Sequence, residues 1–379
     1  MDGDLLQAVV LADSFDTKFY PITLEMPRSL LPLVNVPTID YTLEFLVGAG
    51  VQEIFILCCW KAQQIQAYIS QSRWTETPNV VIRTIASTRC LSTGDALREI
   101  YNLQIISSDF VLVSGDVISN MKLQPVLQAH RARRKQDKST IMTVVYKKAA
   151  PNHRSRSQED DSVVVINPAT GQLLNLENDR EEDAVNLDTD VFAENSSVQF
   201  RYDLLDCRID ICSPEVLSVC ADNFDYNDLR QDFIRGVVVD EVYKWAYPMV
   251  PDCNFMGTTS YKYLRGNIYQ EEGIKLARSA TLGRDTVIGQ GTEVGNNTFI
   301  SHSVIGRNCK IGANVKIVGS YIWNGATVAD GATISYSIVC NEARIMAGAV
   351  VDKASLVSFR AVVGTDRARA GGGERRGGV

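Results

Sequence analysis

The residues best placed to do chemistry lie early in the chain. The apolar run Gln7-Ala8-Val9-Val10-Leu11-Ala12 leads into Asp13, Asp16 and Lys18, and Arg28 follows directly after Pro27. Asp116 ends a second apolar run, Val113-Ser114-Gly115-Asp116. Ligands of open α/β sheets bind at the carboxyl ends of strands, which is where both groups fall. Lys18 and Arg28 would attract an anion there, whereas Asp13 and Asp16 would repel one. On spacing alone, Asp116 reads as a helix cap or a loop hydrogen bond. A third stretch, Asp222-Asn223-Phe224-Asp225-Tyr226, has a local reading in which Asn223 caps a turn and Phe224 packs in the core. The three histidines (His130, His153, His302) have no second ligand at metal spacing. The nine cysteines are scattered without a CxxC pair, which points to reduced thiols rather than a metal site or disulfide framework. Neither a cofactor nor a metal ion is expected.

These residues need strands and helices to hold them. Gln7–Ala12, Glu53–Cys59, Val80–Ile85, Asp109–Ser114 and Thr140–Tyr146 read as strands, with helical stretches at Ile39–Leu46, Lys61–Gln71, Asp95–Tyr101 and Leu123–Lys135. Such alternation predicts a doubly wound α/β domain with a parallel sheet covered on both faces. His130 to Lys135 reads as a basic, solvated helix end suited to the helix dipole. The segments 157–162 and 177–190 read as acidic and polar loops.

From Leu282 onward the pattern changes. Ile288, Ile305, Ile322 and Val339 recur at one fixed interval, divided by aliphatic residues into steps of six, six and five. Each step predicts a short strand pointing one branched aliphatic inward, then a turn marked by a small residue such as Gly283, Gly289, Gly295, Gly306 or Gly312. Three strands close one coil of a parallel β-helix, and stacking several coils buries the apolar face that one coil cannot bury alone. The pattern resembles the left-handed hexapeptide-repeat family, which is the source of the handedness. That family includes acyltransferases with paired histidines, but only His302 lies in this region, so a scaffold role is expected. The domain boundaries read as 1–265 for the α/β domain, 266–364 for the β-helix and 365–379 for a disordered Gly/Arg-rich tail.

Composition narrows the function. Net charge is -7, which argues against nucleic-acid binding through bulk charge. No run of about 18 apolar residues occurs, so no membrane-spanning helix is expected. The acidic start, Met1-Asp2-Gly3-Asp4, does not read as a signal peptide, and a cytosolic location is expected.

Leu11, Ala12, Pro21, Pro27, Asn35 and Pro37 frame a stretch that resembles the sugar-nucleotide pyrophosphorylase signature. That signature has a Gly-rich loop ending in Arg, a Pro-Lys pair and an Asn-x-Pro segment. Here the glycines are replaced by Asp13, Ser14 and Asp16, the Arg by Lys18 and the catalytic Lys by Arg28, while the metal-binding Asp is kept as Asp116. Glycines let backbone N–H groups approach a triphosphate closely. Like charges left uncompensated there cost about 1 kcal/mol or more each. Arg28 keeps a charge but not a compact ammonium. The resemblance implies a nucleotidyltransferase-like fold in which these five residues are remnants and none is catalytic. The rival expectation is an active sugar-1-phosphate nucleotidyltransferase using magnesium at Asp116.

Ile39 to Leu46, Cys58 to Ala62, Gly115 to Asn120, Arg201 to Cys207 and Asp222 to Tyr226 together resemble the epsilon-subunit family of translation initiation factor 2B, the guanine-nucleotide exchange factor for initiation factor 2. That resemblance implies Asn223, Phe224 and Asp225 as contacts for the substrate GTPase, and assembly with the other subunits, especially the homologous gamma subunit. Two departures are visible. The family has a longer segment between Val239-Asp240-Glu241 and Tyr243-Lys244-Trp245. It also continues beyond the β-helix into a helical domain that carries most exchange activity, so exchange by this chain alone is not expected.

Overall fold

A computed structural model describes residues 5–13, 15, 19–149, 162–177, 187, 189–239, 246–249 and 262–364. The tail from 365, most of the two acidic loops, and residues 14 and 16–18 lie outside that set. The fold divides into two compact units, Met1–Leu31 with Thr38–Met256 and Pro32–Pro37 with Gly257–Val379.

The first unit is built on β1 (Gln7–Leu11), every residue of which is buried. A strand covered on both faces is apolar along most of its length, which is why Ala8–Leu11 show no alternation, while the buried Gln7 side chain bonds Glu53 and Ile105 O. Val9 and Leu11 enter one core with Phe110 and Leu112, while Ala8 and Val10 enter the opposite core with Ile54 and Ile56. The sheet continues through β2 (Glu53–Cys58), β3 (Val81–Ala86), β4 (Phe110–Ser114) and β5 (Met142–Lys148). An antiparallel three-stranded sheet, β6 (Val163–Ile166), β7 (Leu173–Glu177) and β8 (Gln199–Arg201), stands apart with β6 at its centre. The main sheet is completed by β9 (Leu204–Cys212) and β10 (Ala246–Met249), giving the order β10-β5-β9-β4-β1-β2-β3.

This order corrects the expectation of a wholly parallel sheet. β9 runs antiparallel to both β4 and β5, and its pairing with β5 shifts register between Asp206 and Asp210. The shift accommodates Arg208, whose φ of 54° makes a bulge. Helices α1 (Thr38–Gly48), α2 (Ala62–Gln71) and α4 (Leu123–Gln136) cover one face through Leu43, Ile65 and Val126. Helices α3 (Thr93–Leu103) and α6 (Glu215–Asp222) cover the other through Leu97, Ile100 and Val216, α5 (Thr189–Glu194) lying between them in sequence. No helix among the described residues is long and apolar enough to cross a membrane.

His130 corrects the reading of a solvated helix end. Its ring is buried, with Nδ1 2.8 Å from Thr143 Oγ1. Burial pushes its pKa down to about 3, with further depression from Arg134 and Arg133. Arg134 is also engaged, paired with Glu215 at 3.0 Å and Asp109 at 3.5 Å.

The second unit is a parallel β-helix of three sheets. Its rungs begin at Ile268–Gln270, before the Leu282 at which the period becomes legible. The register from rung to rung is constant through the middle, as in Val304↔Tyr321 and Tyr321↔Ile338. It lengthens by a single residue at both ends, as in Ile268↔Thr286 and Ile338↔Leu356. Ile288, Ile305, Ile322 and Val339 stack inside with Ile300, Ile317 and Ile334.

The glycines of the repeat serve a different purpose from a simple turn. Gly289, Gly295, Gly306 and Gly312 sit where one rung crosses the next, and a Cβ on Gly306 would lie 2.7 Å from Asn324 N and Trp323 C. Their backbone is ordinary; the limit is space. Pro32–Pro37 forms a hairpin within this unit, and Asn35 Nδ2 donates a buried hydrogen bond of 3.1 Å to Ile305 O.

The crowding at Gly306 makes a test. Gly306→Ala should cost about 1–3 kcal/mol through overpacking. Gly364→Ala, where nothing lies within 4 Å of the added Cβ, should be nearly neutral. Denaturant unfolding of the two variants checks the difference.

Candidate functional site

Two places in the first unit gather the residues singled out by sequence. The first is the carboxyl end of β1 and β4. Asp13 turns back from β1, and its carboxylate accepts hydrogen bonds from the backbone N–H groups of Cys59 and Trp60, the latter at 3.2 Å. Burial pushes the Asp13 carboxyl above the usual range, and those two bonds offset part of that effect. Arg28 and Asp116 meet directly, with Nε 2.6 Å from Oδ2. Ser114 Oγ donates to the other Asp116 oxygen at 2.6 Å, and the Arg28 guanidinium lies 4.7 Å from the centre of the Phe19 ring. Gly115 permits this approach, because a Cβ there would come within 3.0 Å of Ala12 Cα. Trp60 Nε1 donates to Thr23 O at 2.9 Å and Lys61 Nζ to Glu25 O at 3.2 Å, tying the loops together.

Asp13, Arg28 and Asp116 are therefore brought to one strand end, while Asp16 and Lys18 lie outside the described residues. The cation paired with Asp116 is a guanidinium of the chain itself. A metal ion at Asp116 would have to displace it. Among the described residues, no group of three or more His, Cys, Asp or Glu side chains converges as metal ligands, and the eight cysteines are free thiols. His302 stands exposed in the β-helix, 3.0 Å from Asp285.

The second place is the loop after α6. The Asn223 N–H donates to Val219 O at 3.2 Å, ending the helix, and Asn223 Oδ1 accepts from Asp225 N at 3.1 Å. Phe224 does not pack in the core: it is 76% exposed, with the exposed Asp225 next to it in sequence. The local reading of this residue is overturned because the Asn223 turn faces it outward, while Tyr226 takes the core position and meets Phe233 edge-on at 5.6 Å.

The loop is held by groups that sequence reading missed. Arg98, buried on α3, donates through Nη1 to the carbonyls of Cys220, Asn223 and Tyr226, each at 3.2 Å. Its Nη2 donates to Asp95 Oδ1 at 3.0 Å, and its guanidinium carbon lies 5.6 Å from the centre of the Phe224 ring. Burial works against the Asp95 charge, yet the hydrogen bonds from Arg98, Leu91 and Ser92 outweigh it and hold that carboxyl below its ordinary range. Gly94 N donates to Asn227 O at 2.8 Å, and a Cβ on Gly94 would fall 1.8 Å from Tyr226 O.

Beyond the loop, Asp232 Oδ2 accepts from the N–H groups of Asn227 and Asp228 at 2.9 and 2.8 Å. Asp228 caps the π-helical turn Leu229–Ile234. From that turn the buried Arg230 pairs with Asp206 at 2.6 Å and Asp210 at 2.9 Å. The signal for this cluster was the run of charged residues Asp206, Arg208 and Asp210 in a strand otherwise rich in apolar residues. Arg98 gave no comparable signal.

Arg98 carries a measurable share of this order. Arg98→Met leaves three carbonyls without their donor and should cost about 1–3 kcal/mol for each group left buried and unpaired. The expected results are a lower Tm and faster amide exchange at residues 223–228.

Against known proteins, residues 265–368 match the family model for the EIF2B subunit epsilon LbH domain, and residues 7–153 match the nucleotidyl transferase model. The chain is 47% identical over 305 residues to translation initiation factor eIF2B subunit epsilon of Dictyostelium discoideum, covering 72% of this chain and 43% of that protein. The Schizosaccharomyces pombe protein of the same name is 43% identical over 311 residues, covering 73% of this chain and 46% of that one. The eIF2B subunit gamma of Caenorhabditis elegans is 24% identical over 280 residues, covering 73% of this chain and 66% of that one. The chain thus spans less than half the length of the two epsilon relatives.

Proposed function

We propose that the chain is a member of the eIF2B subunit epsilon family, whose β-helix and nucleotidyltransferase models it matches in that subunit's order, and that it is a subunit of a guanine-nucleotide exchange complex acting in translation initiation. In this reading it is a scaffold that assembles with the other subunits, the homologous gamma subunit above all, in the cytosol. It presents Asn223, Phe224 and Asp225 to the GTPase substrate, initiation factor 2. Exchange needs no covalent chemistry. A partner that binds the open state of a GTPase better than the closed state lowers nucleotide affinity by that difference.

The observation that carries the reading is the exposure of Phe224 on a loop clamped by buried groups. An aromatic side chain held outward by a fixed backbone loses little entropy on binding, and aromatic anchors dominate interface energies. Phe224→Ala should weaken initiation factor 2 binding and slow GDP release by about tenfold or more, as loss of a hot-spot aromatic does. Release of fluorescent GDP from initiation factor 2, with complex assembled around each form of the chain, measures this. Unchanged rates would refute the role of the loop, and failure of the gamma subunit to co-purify would refute the assembly.

The strand-end site supports a second part of the proposal, that nucleotidyl transfer is absent. Asp116 is neutralised by Arg28, and the backbone N–H groups of Cys59 and Trp60 are taken by the Asp13 carboxylate. A magnesium nucleotide does not fit residues so engaged. Incubation with each NTP, magnesium and sugar 1-phosphates should release no pyrophosphate; turnover at enzyme-like rates would restore the rival reading.

A further inference from the structure

The most exposed large apolar side chain among the described residues is Leu91, at 84%, and the next is Phe224. They lie far apart in sequence, yet one side-chain network supports both. Leu91 N donates to Asp95 Oδ2 at 3.1 Å, Asp95 Oδ1 accepts from Arg98 at 3.0 Å, and the Arg98 guanidinium lies under the Phe224 ring. The same loops are joined a second time, by the Gly94 N–H to Asn227 O and by Ser92 Oγ to Asn227 Oδ1 at 3.5 Å. Isolated apolar side chains on a surface need no explanation. These two stand on segments tied to each other, the Leu91 backbone through Asp95 to Arg98 and the Phe224 ring beside the same guanidinium.

We infer that Leu91 and Phe224 together form one apolar contact for the substrate GTPase, reaching from the loop after α6 to the start of α3. This rests on the proposed role of Phe224 and extends it to a residue far away in sequence. The charge beside Phe224 identifies the surface that matches that end of the pair. Asp222 and Asp225 flank Phe224 and are exposed, so the partner should offer an apolar pocket bordered by lysine or arginine. Such a rim governs the association rate and its salt dependence, while the apolar pair governs how long the complex lasts.

The test uses purified initiation factor 2 loaded with GDP and complex, gamma subunit included, assembled around the full chain in its unsubstituted, Leu91→Ser, Phe224→Ala and doubly substituted forms. Both side chains are exposed, so thermal unfolding should be unchanged and a loss of binding reports the contact. Leu91→Ser should weaken binding by about three- to tenfold, a smaller loss than for the aromatic partner. The double variant should lose less than the product of the two single effects, because residues sharing one contact are not additive. Normal binding by Leu91→Ser alongside weakened binding by Phe224→Ala would overturn this inference and leave the role of Phe224 standing. Losses that simply multiply would overturn the single contact. A Leu91→Ser defect confined to co-purification of the gamma subunit would give the surface a different occupant and also overturn it. Absence of binding by the unsubstituted chain, or no effect of Phe224→Ala, would remove the underlying reading and this inference with it.

Discussion

A guanidinium drawn away from water must find acceptors for its N–H groups, and much of the first unit is arranged around that constraint. Arg230 meets it through Nε and Nη2 with two carboxylates from one strand, Asp206 and Asp210, and so ties the π-helical turn to β9. Arg98 meets it with three carbonyls at the end of α6 and the carboxylate of Asp95. Between these two anchors Phe224 remains exposed, together with the polar Asp222, Asp225 and Asn227. Arg28 meets the same need with Asp116 at the carboxyl end of β4. One physical requirement thus builds a rigid loop in one place and fills a strand end in another.

A doubly wound sheet offers the carboxyl ends of its strands as a ligand site whatever side chains line them. Here the first loop brings a carboxylate, Asp13, onto backbone N–H groups that could otherwise meet an anion. The sheet still supports helices α3 and α6 on its other core face, and the proposed function is carried by that face.

The β-helix solves a different problem. Each rung contributes only two or three residues per strand, too few to stand alone, so stability comes from stacking. Stacking requires that backbones cross closely, which fixes glycine at 289, 295, 306 and 312 by space rather than by φ. The longer coils at both ends still leave the inward aliphatics in line.

The β-helix was legible in the sequence because its order is local: the inward position recurs within one coil, and every coil repeats the demand. The same holds for the strands and helices alternating from Gln7 to Tyr146, whose apolar runs announce burial wherever they pair. The resemblance drew attention to Asn223 and Phe224, but their setting was not legible. Phe224 turns outward on the Asn223 turn, whose carbonyls are held by Arg98, on a helix far earlier in the chain. The antiparallel course of β9, the burial of His130 and the pairing of Arg28 with Asp116 were likewise decided only in three dimensions. Residue spacing records which side chains one segment must bury. It does not record which distant carbonyl or carboxylate will satisfy a buried charge, because that choice is made when separate segments pack together.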